Sequence, residues 1–477
     1  MIPLLNAGEM RDLEQEAITR WGIGSLVLQE HAALGALGLL PGGEPLEVLA
    51  GPGNNGGDAL ALARLARLQG RPVRVWALQP EPHWQGDAAI QAQLWEGLGG
   101  TYQHTAQPRE ALAGFRGWVV DGLFGLGTRL PLRGLAAEWV AALADAPCRI
   151  LALDLPSGLD PSSPERPGPA VPADRTACFG HLKVCHGLRP ARECCGEITV
   201  IPIPLRGAPT AGLQLLEGPA PSPRRWDTHK QDFGHVGIRA GSLGMGGAAV
   251  MAALGALRMG VGLVTLMPDP EVRAEVAAQV PEAMVRPWAG QVPEGIDVLL
   301  AGPGGIQAVP AWEGPLVLDA SALGEGGARW MARPETVLTP HPGEFARLFG
   351  GPAPRDTGER LARAAAAATG PGILVLKGAQ SIIAGGGDPQ LWVNPTGHPG
   401  LSAGGAGDFL AGMVAAQVAQ WCKRRQAPDP GGLKRAVADA VWLHGAAADR
   451  LGRGPLMIRE LGPSLAALLR ELHGIQN

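Results

Sequence analysis

LEVLAGPGNNGGDALALARLARLQGRPVRVWA, residues 46–77, decides the fold of the N-terminal half. Leu46–Ala50 is an apolar run that reads as a buried strand, Gly51–Asp58 as a loop, Ala59–Gln69 as an amphipathic helix and Val73–Ala77 as the next strand. This is one βαβ unit, and such units imply a parallel sheet. Further strands are predicted at Trp118–Asp121 and Ile150–Asp154, each ending in an aspartate ahead of a Gly-rich or Pro-Ser-Gly turn. Three loops would then gather at strand carboxyl ends, where open α/β sheets bind ligands.

The C-terminal half repeats the pattern without a fixed repeat. Strands are predicted at Val236–Ala240, Leu263–Met267, Asp297–Ala301, Leu316–Asp319, Val337–Leu338, Ile373–Leu376 and Ser381–Ala384, with helices at Ala248–Met259 and Phe409–Gln420. Between the halves, PIPLRGAPTAGLQLLEGPAPSPRR (Pro202–Arg225) is crowded with proline and loses periodicity after Leu205. The expected division is therefore a domain at 1–206, a Pro-rich linker at 207–225 and a domain at 226–477.

A chain of 477 residues has room for two to four domains at about 100 to 200 residues each. With 46% hydrophobic and 18% charged residues it can bury enough apolar surface to fold, and Gly 71 and Pro 44 punctuate apolar runs as turns and ligand loops. Net charge −4 supplies no basic field for nucleic acid. MIPLLNAGEMRD has no basic segment before an apolar core and carries Glu9 and Asp12, against a signal peptide and for a cytoplasmic protein. The charge-free stretch Ala240–Leu257 is at the lower edge of membrane-span length, but Gly241, Gly244, Gly246, Gly247 and Gly255 favour a loop feeding a buried helix. Cys178, His181, Cys185, His186, Cys194 and Cys195 crowd one segment; no Cys-x-x-Cys pair occurs among them, so they read as ordinary thiols rather than zinc ligands.

GPGNNGGD (51–58) contains Gly-x-Gly-x-x-Gly as Gly51, Gly53 and Gly56, between strand and helix. The acidic residue that a dinucleotide site places about 20 residues on is missing, which argues against a standard nicotinamide dehydrogenase. Asn54, Asn55 and Asp58 serve either as turn and cap residues or as ligand contacts. DGLFGLGTR (121–129) and LDLPSGLD (153–160) bring Asp121, Asp154, Ser157 and Asp160 to the same predicted sheet edge.

With CFGHLK (178–183), these segments resemble the N-terminal domain of the NAD(P)H-hydrate repair enzymes, which epimerises the R and S hydrates of reduced nicotinamide cofactors. The resemblance implies a Rossmann-like three-layer α/β domain and a potassium ion among Asn55, Asp121 and Ser157. It implies hydrate contacts at Asn54, Asn55, Gly56, Gly57 and Asp58, at Gly125, Leu126, Gly127, Thr128, Arg129, Leu130 and Pro131, and at Asp154 as the acid/base group. Two departures are Ala59, where the family usually has Gly, and His31, where it commonly has Asn; the latter would alter the pocket.

GHPGLSAGGAGDFLAG (397–412) is a Gly-rich run that opens an apolar helix. Gly404, Gly405 and Gly407 let backbone N–H groups face a phosphate, with the helix dipole behind them. Asp408 is then placed to take a proton from an attacking hydroxyl, or else serves as an N-cap. LTPHPGEFARL (338–348), VLKGAQSIIA (375–384), the stretch from His229 to Thr265, GPGG (302–305) and LDASAL (318–323) complete a resemblance to the ribokinase-like α/β dehydratase domain of the same enzymes, over residues 226–470. Ser321 is a benign departure.

That resemblance implies nucleotide contacts at Lys377, Gly378, Ala379, Gln380 and Ser381 and at His398, Pro399, Gly400, Leu401, Ser402, Ala403, Gly404, Gly405, Ala406 and Gly407. Hydrate contacts fall at Ala248, Gly304, His341 and Asp408, with Asp408 as general base. It further implies ADP or ATP as co-substrate, Mg²⁺, and NADHX and NADPHX as substrates, with the S form dehydrated. The residues alone leave open a ribokinase-like small-molecule kinase with an N-terminal nucleotide-binding or ligand-sensing module. A serine hydrolase is disfavoured because AGSLG (240–244) misses the Gly-x-Ser-x-Gly elbow, and a Walker loop is absent because no Gly-Lys pair occurs. Leu/Ala-rich helices are compatible with a homo-oligomer.

Overall fold

The computed structural model describes residues 1–206, 211–220, 224, 226–324, 326–425 and 429–473. Apart from Met1, the chain divides into two units, Ile2–Leu213 and Gln214–Asn477. The division falls inside the Pro-rich stretch 207–225, part of which lies outside the described residues.

The first unit opens with the short strand β1 (Ile2–Leu4) and continues with β2 (Leu46–Ala50), β3 (Val73–Ala77), β4 (Tyr102–Gln103), β5 (Trp118–Gly122), β6 (Arg149–Leu153), β7 (Arg175–Phe179) and β8 (Glu197–Ile201). Its parallel sheet has the order β4-β3-β2-β5-β6-β7-β8. Leu46, Val48, Ala50, Val75, Val120 and Leu151 join one side of the core, with Ala59–Ala63 of the helix above them. The order reverses between β2 and β5, which opens a crevice beyond their carboxyl ends.

The helix after β2 begins at Asn54, not Ala59, so Asn54–Asp58 form its first turns rather than a loop. Gly53 is the N-cap and no side chain caps the helix, so the cap role considered for Asp58 is unused. Two glycines make the early start fit: a Cβ on Gly56 would lie 1.8 Å from the Gly51 carbonyl oxygen, and one on Gly57 would lie 2.4 Å from Gln29 Nε2. β6 ends one residue before its predicted end, and Asp154 leaves it at φ +61°, a conformation uncommon for residues other than glycine. Strands β4, β7 and β8 were not predicted, because each is too short or too mixed in polarity to show a clear period.

The second unit holds β9 (Leu213–Leu215, across the division), β10 (His235–Arg239), β11 (Leu263–Leu266), β12 (Met284–Val285), β13 (Val298–Ala301), β14 (Leu316–Leu318), β15 (Thr336–Leu338), β16 (Ile373–Leu376), β17 (Ile382–Gly385) and β18 (Asp388–Val393). From β9 onward the order is β9-β18-β17-β16-β15-β14-β13-β10-β11-β12. Strands β10 to β16 run parallel, whereas β16-β17-β18 are antiparallel, since the connection 377–381 is too short for a crossover. Helices Gly246–Arg258 and Ala406–Arg424 cross at close range: a Cβ on Gly255 would lie 2.1 Å from the Phe409 carbonyl oxygen. Phe409 is 1% exposed, and burying such a ring contributes about 1.5–3 kcal/mol. No helix among the described residues is long and apolar enough to cross a membrane.

Candidate active sites

In the first unit a cleft of about 900 Å³ opens at the β2/β5 switch point. Asn54, Asn55 and Asp58 line it from the helix start, Gly125, Leu126, Gly127, Thr128, Arg129, Leu130 and Pro131 from the loop after β5, and Asp154 and Phe179 from the sheet edge. Arg11 and Glu14 line it from the helix Ala7–Trp21. Gly56 and Gly57 do not line it; they are buried where the helix packs. His31 does not line it either, so the expected change of pocket is absent: the exposed ring meets the Val27 carbonyl of its own helix at 2.8 Å.

Asp154 accepts from the Phe179 N–H at 3.1 Å and from the Lys183 ammonium. Lys183 is fully buried and also donates to the Phe179 carbonyl at 2.8 Å. Burial alone would discharge it, but the charge and hydrogen bond of Asp154, with Cys178 and Glu14, together hold the ammonium above its ordinary range. The result is a buried ion pair on a turn with Asp154 at positive φ, the kind of backbone that functional sites retain.

Beneath the cleft, Asp121 is buried and its carboxyl is pushed up to about 6 by that burial, against three hydrogen bonds that oppose the rise. Ser157 supplies two of them, from N at 2.8 Å and Oγ at 2.7 Å. Ser157 Oγ accepts from the Phe124 N–H at 3.0 Å, and Asn55 Nδ2 donates to the Phe124 carbonyl at 2.9 Å. Three elements thus bring Asn55, Asp121 and Ser157 together around Phe124. Asn55 Oδ1 is buried with no hydrogen-bond partner among the described residues. Among the described residues no three His, Cys, Asp or Glu side chains gather as a metal-holding group, and Cys178 and Cys195 are buried thiols pushed up to about 12.

In the second unit the helix Ala406–Arg424 starts with Gly405 as N-cap at φ +91°, and Asp408 stands in its first turn rather than at the cap. Lys377, at the end of β16, pairs with Asp319 at 2.7 Å and lies 3.9 Å from Glu344 Oε2. Thr339 Oγ1 donates to the same Asp319 oxygen at 2.9 Å. A Cβ on Gly407 would come within 3.2 Å of Lys377 Nζ, so ammonium and helix N-terminus face one point. Burial pushes the Asp408 carboxyl up to about 6; Asp319 adds to the rise and Lys377 opposes it. Burial would lower the Lys377 ammonium, but Asp319, Glu344 and Asp408 together keep it above its ordinary value.

The other predicted residues divide by role. His341 caps the helix Pro342–Phe349, its Nδ1 accepting from Gly343 and Glu344, and leaves its ring about half exposed. His398 has both ring nitrogens on backbone groups, Nε2 with the Ala448 carbonyl at 3.0 Å and Nδ1 with the Gly400 N–H at 3.0 Å, so it shapes the loop through Leu401. Ala248 and Gly304 meet: a Cβ on Gly304 would lie 3.0 Å from Ala248 Cβ. In the 377–381 loop, Gln380 and Ser381 are buried, and Arg360 donates to the Leu376 and Gln380 carbonyls from below Gly378.

A family model described as NAD(P)H-hydrate dehydratase matches residues 236–457, and one described as YjeF-related protein N-terminus matches residues 27–185. The chain is 36% identical to the bifunctional NAD(P)H-hydrate repair enzyme Nnr of Gloeobacter violaceus over 498 residues, covering 94% of this chain and 93% of that one. The chain belongs to the bifunctional NAD(P)H-hydrate repair enzymes. The Escherichia coli K12 member of these repair enzymes is 32% identical over 429 residues, covering 85% of this chain and 80% of its own. A crystal structure of the ADP/ATP-dependent NAD(P)H-hydrate dehydratase from Bacillus subtilis, co-crystallized with ATP/Mg²⁺, is 32% identical and covers 53% of this chain and 94% of its own at a TM-score of 0.46.

The sequence of this repair enzyme shows Asp319 and Lys183 within the LDASAL and CFGHLK segments but gives them no role, and it does not mark Glu14 or Arg360. Asp319 had a signal, since it follows a buried strand as Asp154 does. Glu14 and Arg360 had none, because each sits on a helix with no motif and reaches its site only through packing.

Proposed function

We propose that the first unit interconverts the R and S hydrates of NADH and NADPH, and that the second dehydrates the S hydrate at the expense of ADP or ATP. The observation that carries this reading is the convergence of Asp408, Lys377 and Asp319 on the start of the helix Ala406–Arg424, in a chain related along 94% of its length to a bifunctional repair enzyme.

Free N–H groups at that helix start and the Lys377 ammonium suit the terminal phosphate of a nucleotide. Asp408 takes the proton of the hydrate's hydroxyl as its oxygen attacks the terminal phosphorus, and the bond from that phosphorus to its bridging oxygen breaks to release AMP from ADP or ADP from ATP. The ring nitrogen's lone pair then expels phosphate from the ring carbon, and loss of a proton from the neighbouring carbon restores the double bond. Asp319 positions Lys377, and Thr339 positions Asp319. Gly404–Gly407 and Lys377–Ser381 are the nucleotide contacts, with His398–Ala403 shaping the loop; Ala248, Gly304 and His341 are the hydrate contacts.

The donors here fit Mg²⁺ carried on nucleotide phosphates rather than a resident ion, since no group of three acidic or imidazole ligands exists among the described residues. Bound there, Mg²⁺ would neutralise developing phosphate charge. Potassium fits the first unit: Asn55 Oδ1 is an orphaned buried acceptor, and the Asp121 carboxylate has no cation partner among the described residues. Asn55, Asp121 and Ser157 would hold it through oxygen alone, as a hard cation prefers. Asp154, paired with Lys183, exchanges protons with the hydrate's hydroxyl.

The test is the purified chain with an R/S mixture of NADHX, ADP, Mg²⁺ and K⁺, following recovered NADH against released phosphate. Recovery of the whole mixture with one phosphate per NADH supports both activities. A halt after the S fraction removes the epimerase reading. A stable phosphoester with no NADH would replace dehydration by kinase chemistry.

A further inference from the structure

Inversion of the hydrate at its hydroxyl-bearing carbon asks for two acid–base groups. That carbon is bonded to the ring nitrogen, so a proton delivered to the hydroxyl lets the C–O bond break with its electron pair leaving as water. The nitrogen's lone pair forms a carbon–nitrogen double bond. Water then adds from the other face, gives its extra proton to a second carboxylate, and the nitrogen recovers its pair. Atoms and charge balance: one carboxyl loses a proton and another gains one, so near neutral pH one must start protonated and the other ionised.

Asp154 fills the ionised place, because the buried Lys183 ammonium holds it. We propose that Glu14 is the second acid–base group, reaching the hydrate from the helix Ala7–Trp21 while Asp154 meets it from the sheet edge. The proposal rests on reading this cleft as the epimerase site. Glu14 lines the same cleft as Asp154. Its carboxyl has no hydrogen bond or ion pair among the described residues. Its helix is fixed against the substrate loop, since Arg11 Nη2 donates to the Leu126 carbonyl at 3.1 Å.

The charged groups around Glu14 explain its protonated state. Arg11 is on its own helix, Asp58 faces it from the helix Asn54–Leu68, Asp154 and Lys183 face it from the sheet edge, and Arg129 and Arg133 come from the loop after β5. Burial first, then the Asp154 charge, lifts the Glu14 carboxyl to about 7, with Lys183 and Arg11 opposing. Burial first, then the Asp154 and Glu14 charges, holds the Asp58 carboxyl well above its usual range. The family match over 27–185 begins beyond Arg11 and Glu14.

The test uses the full chain and R-enriched NADHX. Glu14→Gln is expected to lower the epimerisation kcat by about 100-fold or more with KM little changed, as loss of an acid–base group does. It should erase the limb of the pH profile near 7 and leave ADP-dependent dehydration of the S hydrate at the wild-type rate, with Glu14→Asp recovering part of the loss. Wild-type kcat and pH limb in Glu14→Gln, or a loss confined to KM, overturns the proposal. Should Glu14→Gln lose its melting transition, Glu14→Asp decides: a displaced limb supports the proposal and an unmoved one overturns it. If the wild type itself fails to interconvert the hydrates, the epimerase reading falls, and this proposal with it.

Discussion

Lys377 and Asp319 form an ion pair of 2.7 Å whose carboxylate is almost wholly buried, and Gly407 of the next site element lies against the ammonium. The pair joins the ends of β14 and β16 across β15 and aims a fixed charge at a helix N-terminus.

Lys377→Met leaves Asp319 buried with only Thr339 to satisfy it. A stability loss of about 3–5 kcal/mol is expected, as for a buried pair broken on one side. Adding Asp319→Asn should return much of it while dehydration stays lost. Denaturant melts of the two variants beside dehydratase rates check this; equal stability of Lys377→Met and wild type would contradict it.

Asp408 sets a pH dependence for dehydration. Its carboxyl titrates at about 6, and only the ionised form can accept a proton. The rate at saturating hydrate should therefore be flat above pH 7 and fall about tenfold per unit below 6. Asp408→Asn should lower it by about 10²–10⁴-fold at every pH and spare epimerisation. Stopped assays across pH 5 to 8 at fixed ionic strength give both results, and an unchanged rate in Asp408→Asn would remove the general base.

Removing Asp154 strands a fully buried ammonium. Asp154→Ala is expected to stop epimerisation and to destabilise the first unit by about 3–5 kcal/mol. Lys183→Met in the same chain should restore stability without activity. A double-mutant cycle read by thermal melting measures the coupling, and additive losses would mean that the pair does not act as one.

Potassium should raise the melting temperature of the first unit more than sodium does at equal ionic strength. Asn55→Leu should abolish the difference, because it removes the orphaned buried oxygen. Equal effects of the two salts on the wild-type chain would leave the Asn55, Asp121 and Ser157 oxygens without that role.

The central parallel strands of both sheets and the loops at their ends were legible in the chain, because apolar runs bounded by glycine show their period within a few residues of themselves. Leu46–Ala50, Val73–Ala77 and Ile373–Leu376 stand where the pattern put them. The start of the helix at Asn54 was not legible: Gly56 and Gly57 disfavour helix locally, and only the space left beside Gly51 and Gln29 makes them necessary. The sequence by itself determined the apolar runs that become strands, the glycine-rich loop before Asp408 and the aspartates at the carboxyl ends of β5 and β6. Tertiary structure alone decided that Asp319 meets Lys377 across 58 positions, that Lys183 meets Asp154 and that Glu14 shares the cleft of Asp154. Those partners are far apart along the chain, and the charge states that give them chemistry arise from burial and from one another, neither of which a residue carries in its own neighbourhood.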